Sequence, residues 1–283
     1  MSHYTVAVIT AKKENLGEML APYDENIKVE PYISETKEEI IKEAKEIRDR
    51  VLKKKEEGKE IYEWDKKYIE AKSDEELYRA RIYEEENYDE NGNKLTTYNP
   101  NSRWDWYSIG GRWRNSLLTK IDNEDVIEET GLEDLMNGGS NLSKKAPEGY
   151  KWVDGAKIKD IDFKKAIEFK NTYNNAIRFW ETYVEGHEPK TEEEKEAIEW
   201  EIYKKEYYIE RYGTKENYAK RESTFTCWAL LDEDGWHEQG KMGWWAMNDS
   251  TKDSEEAFVE KFTETINKPE NQDKYLIIVD CHI

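Results

Sequence analysis

Cysteine is nearly missing from this chain. Its two cysteines, Cys227 and Cys281, are 54 residues apart, and neither sits in a CxxC or Cys/His spacing. A disulfide framework and a zinc site of the usual spacing are therefore excluded, and a reducing compartment is expected. Long hydrophobic runs are absent too. The apolar stretch near the start, Tyr4 to Ile9, is too short to span a membrane and has no basic segment before it, so a soluble, cytoplasmic protein is expected. The signatures that announce a chemistry are also missing: no GxxxxGK[ST], GxGxxG, HExxH or EF-hand loop occurs. No serine or cysteine is placed for nucleophilic catalysis.

Positive charge is in deficit, with 44 Lys and Arg against 64 Asp and Glu for a net charge of −20. Such a surface repels nucleic acid and anionic lipid, which argues against general nucleic-acid binding or a membrane-surface role and leaves a basic protein surface as a charge-guided partner. Mimicry of nucleic-acid charge would need unbroken carboxylate rows. Stretches such as Lys42-Glu43-Ala44-Lys45-Glu46 instead interleave both signs, the pattern of ordinary helical i,i+4 pairing. Hydrophobic residues make up only 36%, but aromatics reach 13%, which disordered chains lack. The chain is expected to be folded throughout.

What the sequence does have is tryptophan in two short segments. Seven of its eleven tryptophans lie in Asn99 to Trp113, which contains Asn101, Trp104, Asp105, Trp106, Gly110, Gly111, Arg112 and Trp113, and in Trp228 to Trp245, which contains Trp236, His237, Met242, Trp244 and Trp245. Aromatics beside paired glycines and arginines suit a recognition surface, and these residues are the candidate ligand-binding set. A reading without function is that arginines stack on tryptophans to fix a long loop.

The terminal Val279-Asp280-Cys281-His282-Ile283 reads as a strand, with period-two alternation placing Asp280 and His282 on one face and Cys281 on the other. That pair is the candidate metal site, a divalent ion being the cofactor it would take. If the first and last strands pair antiparallel, His3 approaches His282, with Asp105 or His237 as a further ligand. The simpler alternative is that these polar side chains cap strand ends.

Tyr4 to Thr10 is rich in β-branched residues and reads as a buried strand; Ile27 to Ile33 reads as an edge strand because of Pro31. Thr36-x-x-Glu39 is a capping box that opens a helix, and Asn91-Gly92 marks a hairpin. Residues 163–184 and 191–212 read as two long antiparallel helices. Phe225 to Leu231, the Asp234-Gly235 turn and Trp236 onward read as a hairpin, Ser254 to Asn267 as a helix and Tyr275 to Ile283 as the last strand. The fold class expected is α+β, a small antiparallel, ferredoxin-like sheet with long helical insertions. Its core comprises residues 1–33, 81–160 and 222–283, with a helical insertion at 34–80 and a helical hairpin at 161–221. Asn137 to Asn141 is the expected flexible loop.

The Leu20 to Asn26 piece, Asn99 to Trp113, Gly240 to Trp245 and the terminal Val279 to Ile283 together resemble a family of uncharacterised proteins encoded by bacteriophages and prophages. The resemblance covers about a third of the chain and brings no established activity with it. It implies a role inside an infected bacterial cell, where soluble accessory proteins often counter host defence. The expected function is a non-enzymatic binding protein that engages a host immune protein or its nucleotide signal, with a homo-oligomer interface as a further role for the Tyr-rich helices. The competing expectation is a metal-dependent phosphoester hydrolase using Asp280 and His282, with Asp105, His237 or His3 completing the site.

Overall fold

A computed structural model of the chain describes residues 2–83, 87–128, 145–243, 245 and 247–283. The expected loop at Asn137 to Asn141, the acidic run Glu84 to Glu86, and Trp244 lie outside the described residues. The strands are β1 (His3–Thr10), β2 (Lys28–Glu35), β3 (Asn87–Tyr88), β4 (Lys94–Tyr98), β5 (Trp106–Ile109), β6 (Leu117–Lys120), β7 (Val126–Ile127), β8 (Tyr150–Val153), β9 (Gly155–Lys157), β10 (Ala229–Asp232), β11 (Gly235–Glu238) and β12 (Tyr275–His282). The α-helices are α1 (Leu16–Leu20), α2 (Lys37–Glu56), α3 (Glu63–Glu70), α4 (Asp74–Arg81), α5 (Phe163–Lys170), α6 (Thr172–Phe179), α7 (Glu192–Glu199), α8 (Lys205–Tyr212), α9 (Lys215–Glu222) and α10 (Lys252–Asn267). The fold is α+β, as its sequence pattern implies. No helix among the described residues is long and apolar enough to cross a membrane.

The chain divides into two compact units, one made of Met1–Asp24 with Arg103–Ile283 and the other of Glu25–Ser102. The smaller unit is a three-stranded antiparallel sheet, order β2-β4-β3, with helices α2 to α4. Pro31 does lie on an edge strand, where its missing N–H costs no ladder bond. Thr36 and Glu39 form the expected reciprocal cap of α2, and Gly92 turns the β3–β4 connection at φ +84°. The helices expected as an insertion at 34–80 thus share a unit with the strands on either side of them. The reason is that β2 pairs with β4 alone, leaving no strand of this stretch to join the larger sheet.

The larger unit is built on a seven-stranded sheet, order β11-β10-β1-β12-β9-β7, with β5 also pairing β12. It is neither small nor wholly antiparallel. β12 runs antiparallel to β1, with His3 opposite His282 and Thr10 opposite Tyr275, whereas β10 runs parallel to β1. The hairpin expected at the Asp234-Gly235 turn joins the sheet through its first strand, and its second strand forms the edge. Both central strands are apolar on both sides, so each face must be covered. On one face α10 lays Phe258, Phe262 and Ile266 over Ala7, Leu230, Leu276 and Ile278; on the other, Leu16, Leu20, Trp104 and Met242 cover Val6, Val8, Val279 and Cys281. Burying one such large apolar side chain stabilises the fold by about 1.5–3 kcal/mol.

The two long helices expected at 163–184 and 191–212 are broken. Asn171, at φ +53° in the left-handed region, ends α5 and starts α6, which runs on into a π turn over Trp180–Val184. After α7, the Glu201 carboxylate accepts the Tyr203 N–H at 2.8 Å, a donor that a continuing helix would have used, and the chain leaves the helical path before α8. Phe179, Tyr183, Tyr208 and Tyr218 form the aromatic packing between these helices, whereas Trp200 is 80% exposed.

Candidate functional site

Alternation along β1 and β12 puts His3 and Thr5 on the same face as Ala7, and His282 and Asp280 on the same face as Ile278. Ala7 and Ile278 belong to the core under α10. The covered apolar face therefore becomes polar over its last two rows. The strand β5 extends those rows, because Trp106 stands opposite His282 and Ser108 opposite Asp280. Three strands thus bring together residues more than 170 positions apart in the chain.

The cluster is two carboxylate–imidazole pairs beneath three rings. His3 Nδ1 lies 2.9 Å from Asp280 Oδ1, and His282 Nδ1 lies 2.6 Å from Asp105 Oδ1. An ionised carboxylate only accepts, so each imidazole carries its hydrogen on Nδ1 and presents Nε2 as the free nitrogen. The His3 and His282 rings meet edge to face with centroids 4.9 Å apart; Trp106 stacks on His282 at 5.1 Å and meets the His3 ring at 5.2 Å. His282 is buried, His3 half-buried, and Trp106 is 36% exposed, so Trp106 is the ring of the three that solvent reaches most.

Asp280 is 1% exposed, and a buried carboxylate needs charge and hydrogen-bond partners. His3 is one; the main-chain N–H of Arg112, at 3.0 Å from Oδ2, is the other. This contact explains the paired glycines. Gly110 and Gly111 have φ of +68° and +48°, a Cβ on Gly110 would fall 2.6 Å from Asp154 Oδ1, and one on Gly111 would overlap Asp280 and fall 2.6 Å from Ser108 Oγ. A second main-chain donor of this turn is also taken by one of the chain's own carboxylates: Asn115 N–H donates to Asp154 Oδ1 at 2.6 Å. The Arg112 side chain is exposed and makes no ion pair among the described residues. Ser108 Oγ is buried beside Asp280 without a hydrogen-bond partner.

The other expected site residues are distributed over the fold. Trp104 is buried on the opposite face, its Nε1 donating to the Leu20 carbonyl at 3.1 Å. Trp113 packs against the α10 core, and Trp236 packs on Tyr4 and Tyr23 under the opposite face. Met242 is buried there too. His237, expected as a further metal ligand, is paired with Asp232 at 3.2 Å, because β11 is separated from β12 by two strands. Asn101 belongs to the smaller unit. Trp245 is 76% exposed at φ +62°. The second Trp segment reaches the cluster's surroundings at Gly243, whose carbonyl accepts the Ser2 hydroxyl at 2.8 Å, and at Trp228, whose main-chain N–H donates to Thr5 Oγ1 at 3.1 Å, Thr5 standing opposite Asp280.

The expected Asp280–His282 metal site is not tested by this geometry. Each histidine has its Nδ1 on a carboxylate and its Nε2 free, Asp280 is shared with a main-chain N–H, and no group of three His, Cys, Asp or Glu among the described residues is placed to hold an ion. Both cysteines are buried, with burial raising the Cys227 thiol to about 12 and pushing that of Cys281 well up, as expected for inert core thiols. The reading from sequence missed Asp154 and Ser108. A lone aspartate between strands, Val153-Asp154-Gly155, was the available signal for the first; nothing in the sequence marks the second. Family models, curated proteins and solved structures give no match to this chain.

Proposed function

We propose that the chain is an intracellular protein of bacteriophage or prophage origin that modulates host defence by binding a small nucleotide-like anion at the β1–β12–β5 cluster. The single observation that carries the binding site is the convergence of His3, His282 and Trp106, with each imidazole fixed by a carboxylate. Trp106 offers an open aromatic face for a base. Arg112, held at the cluster by its N–H to Asp280, offers a guanidinium for a phosphate. The ligand is small because a net charge of −20 repels a long polyanion, while the Arg112 guanidinium suffices for a single phosphate group. The phage setting rests on the resemblance of the Trp-bearing and terminal motifs.

Equilibrium dialysis against AMP, ADP and the dinucleotide ApA tests the reading. Retention that is lost in Trp106→Ala and Arg112→Ala supports it, and no retention of any of the three sinks it.

A basic host protein as partner is the second reading. Trp200 and Ile202 are 80% and 84% exposed, and they follow α7, whose run from Glu192 to Glu201 carries six glutamates against one lysine. An apolar pair set in negative charge matches a positively charged surface with an apolar centre. Its test is whether Trp200→Ser with Ile202→Ser releases a partner that raised salt also releases.

A further inference from the structure

We infer that the same cluster is a metal-independent acid–base centre that cleaves a phosphodiester, with His3 and His282 as its catalytic residues. The inference rests on the nucleotide-binding reading and adds a reaction to it.

Binding alone does not require two imidazoles, each held by its own carboxylate. His3 and His282 come from adjacent strands in direct register, each has Nδ1 fixed by an aspartate, and their ring centroids are 4.9 Å apart. A histidine oriented through Nδ1 keeps Nε2 free to take or give a proton, and two such groups at one point supply a general base and a general acid together. Asp280 and Asp105 are positioning residues, which fix ring orientation and tautomer. Phosphodiester transfer suits this equipment because the attacking oxygen must lose a proton while the leaving oxygen gains one. Arg112 supplies a cation for the non-bridging oxygens.

The step balances without a metal or redox partner. One Nε2 removes a proton from water as its oxygen bonds to phosphorus, and the P–O bond to the leaving alcohol breaks. The other Nε2, protonated at the start, gives its proton to that leaving oxygen. The products are a phosphomonoester and an alcohol, and proton exchange with solvent returns the two imidazoles to their starting states.

The test uses the full chain with excess EDTA, ApA and bis(p-nitrophenyl) phosphate as substrates, and dialysis of ApA run in parallel. The expected result is turnover in EDTA with a bell-shaped pH–rate profile. His3→Gln and His282→Gln should each lose about 100-fold or more. Asp105→Asn should keep the fold, judged by circular dichroism, while losing rate. Retention of ApA without cleavage overturns this inference and leaves the binding reading intact, whereas absence of both overturns that reading too. Cleavage abolished by EDTA, or surviving in both histidine variants, also overturns it.

Discussion

His282 and Asp105 hold each other at two points. The imidazole Nδ1 is 2.6 Å from Asp105 Oδ1, and the Asp105 main-chain N–H donates to the His282 carbonyl at 3.0 Å. The side-chain bond orients the ring, while the main-chain bond sets where β5 begins beside the end of β12. The two can be separated by mutation. Asp105→Asn keeps the main-chain bond and loses the charge, so nucleotide affinity should fall by about tenfold, near the lower end of what oriented histidines lose with their partner. The melting temperature should move by no more than about 3 °C. Titration calorimetry and a thermal melt on the same sample check both.

Gly111→Ala should damage the fold and the site together. The new Cβ meets Asp280 and Ser108 at a φ of +48°, and neither is a flexible chain end in open space. Left-handed strain costs about 1–2 kcal/mol and overpacking about 1–3 kcal/mol, for roughly 2–5 kcal/mol in total. The control is Gly58→Ala, where φ is +68° but nothing lies within 4 Å, so only the strain remains. Urea unfolding of the two variants separates crowding from strain; equal losses would show that Asp280 does not press on the turn.

Cys227 and Cys281 should resist modification. Burial pushes both thiols upward, to about 12 for Cys227, and the thiolate is the reactive form. With a disulfide reagent at pH 8, the native protein should release almost no colour over minutes, and two equivalents per chain should appear in denaturant. Rapid reaction of either native thiol would mean that its strand opens locally.

Much of the sheet was legible because its signals are local. Val6 and Val8 in a β-branched run, the Asp234-Gly235 turn and the Thr36–Glu39 cap each act within a few residues, and all three appear in the structure. The pairing of His3 with Asp280 and His282 followed from one topological condition, that the first and last strands be antiparallel neighbours. What the sequence concealed is long-range. That β10 lies parallel to β1, that β2 pairs only with β4, and that Asp154 fills the space beside Gly110 depend on which elements meet, and residue type is silent on that. The broken helices have another cause. Their apolar spacing is helical throughout, but the left-handed Asn171 and the Glu201 carboxylate interrupt it, a competition that periodicity does not register.

Asp125 ties three elements together, and its effect on stability should depend on pH in a defined direction. Its carboxylate accepts hydrogen bonds from the Lys13 ammonium, the Tyr275 hydroxyl and the Lys157 ammonium, at 2.9, 2.7 and 3.0 Å. Chiefly through Lys13, then Tyr275 and Lys157, these bonds hold it well below the usual carboxylate range. A carboxyl whose folded value is depressed adds stability above its unfolded value, near 3.9, and that stability fades as the pH falls toward the folded value. Because the side chain is 43% exposed, solvent screening keeps the contribution to about 1 kcal/mol or less. Tyr275 acts at the other end of the scale. Burial, with Asp125 adding to it, raises its hydroxyl to about 12, so the stability it gives is complete below about pH 10 and is lost as the pH rises through 12. Urea unfolding of Asp125→Asn against the parent chain should therefore show the variant weaker at pH 7, with the gap closing below pH 4. A gap that widens in acid would mean that the three donors do not hold Asp125 in its charged form.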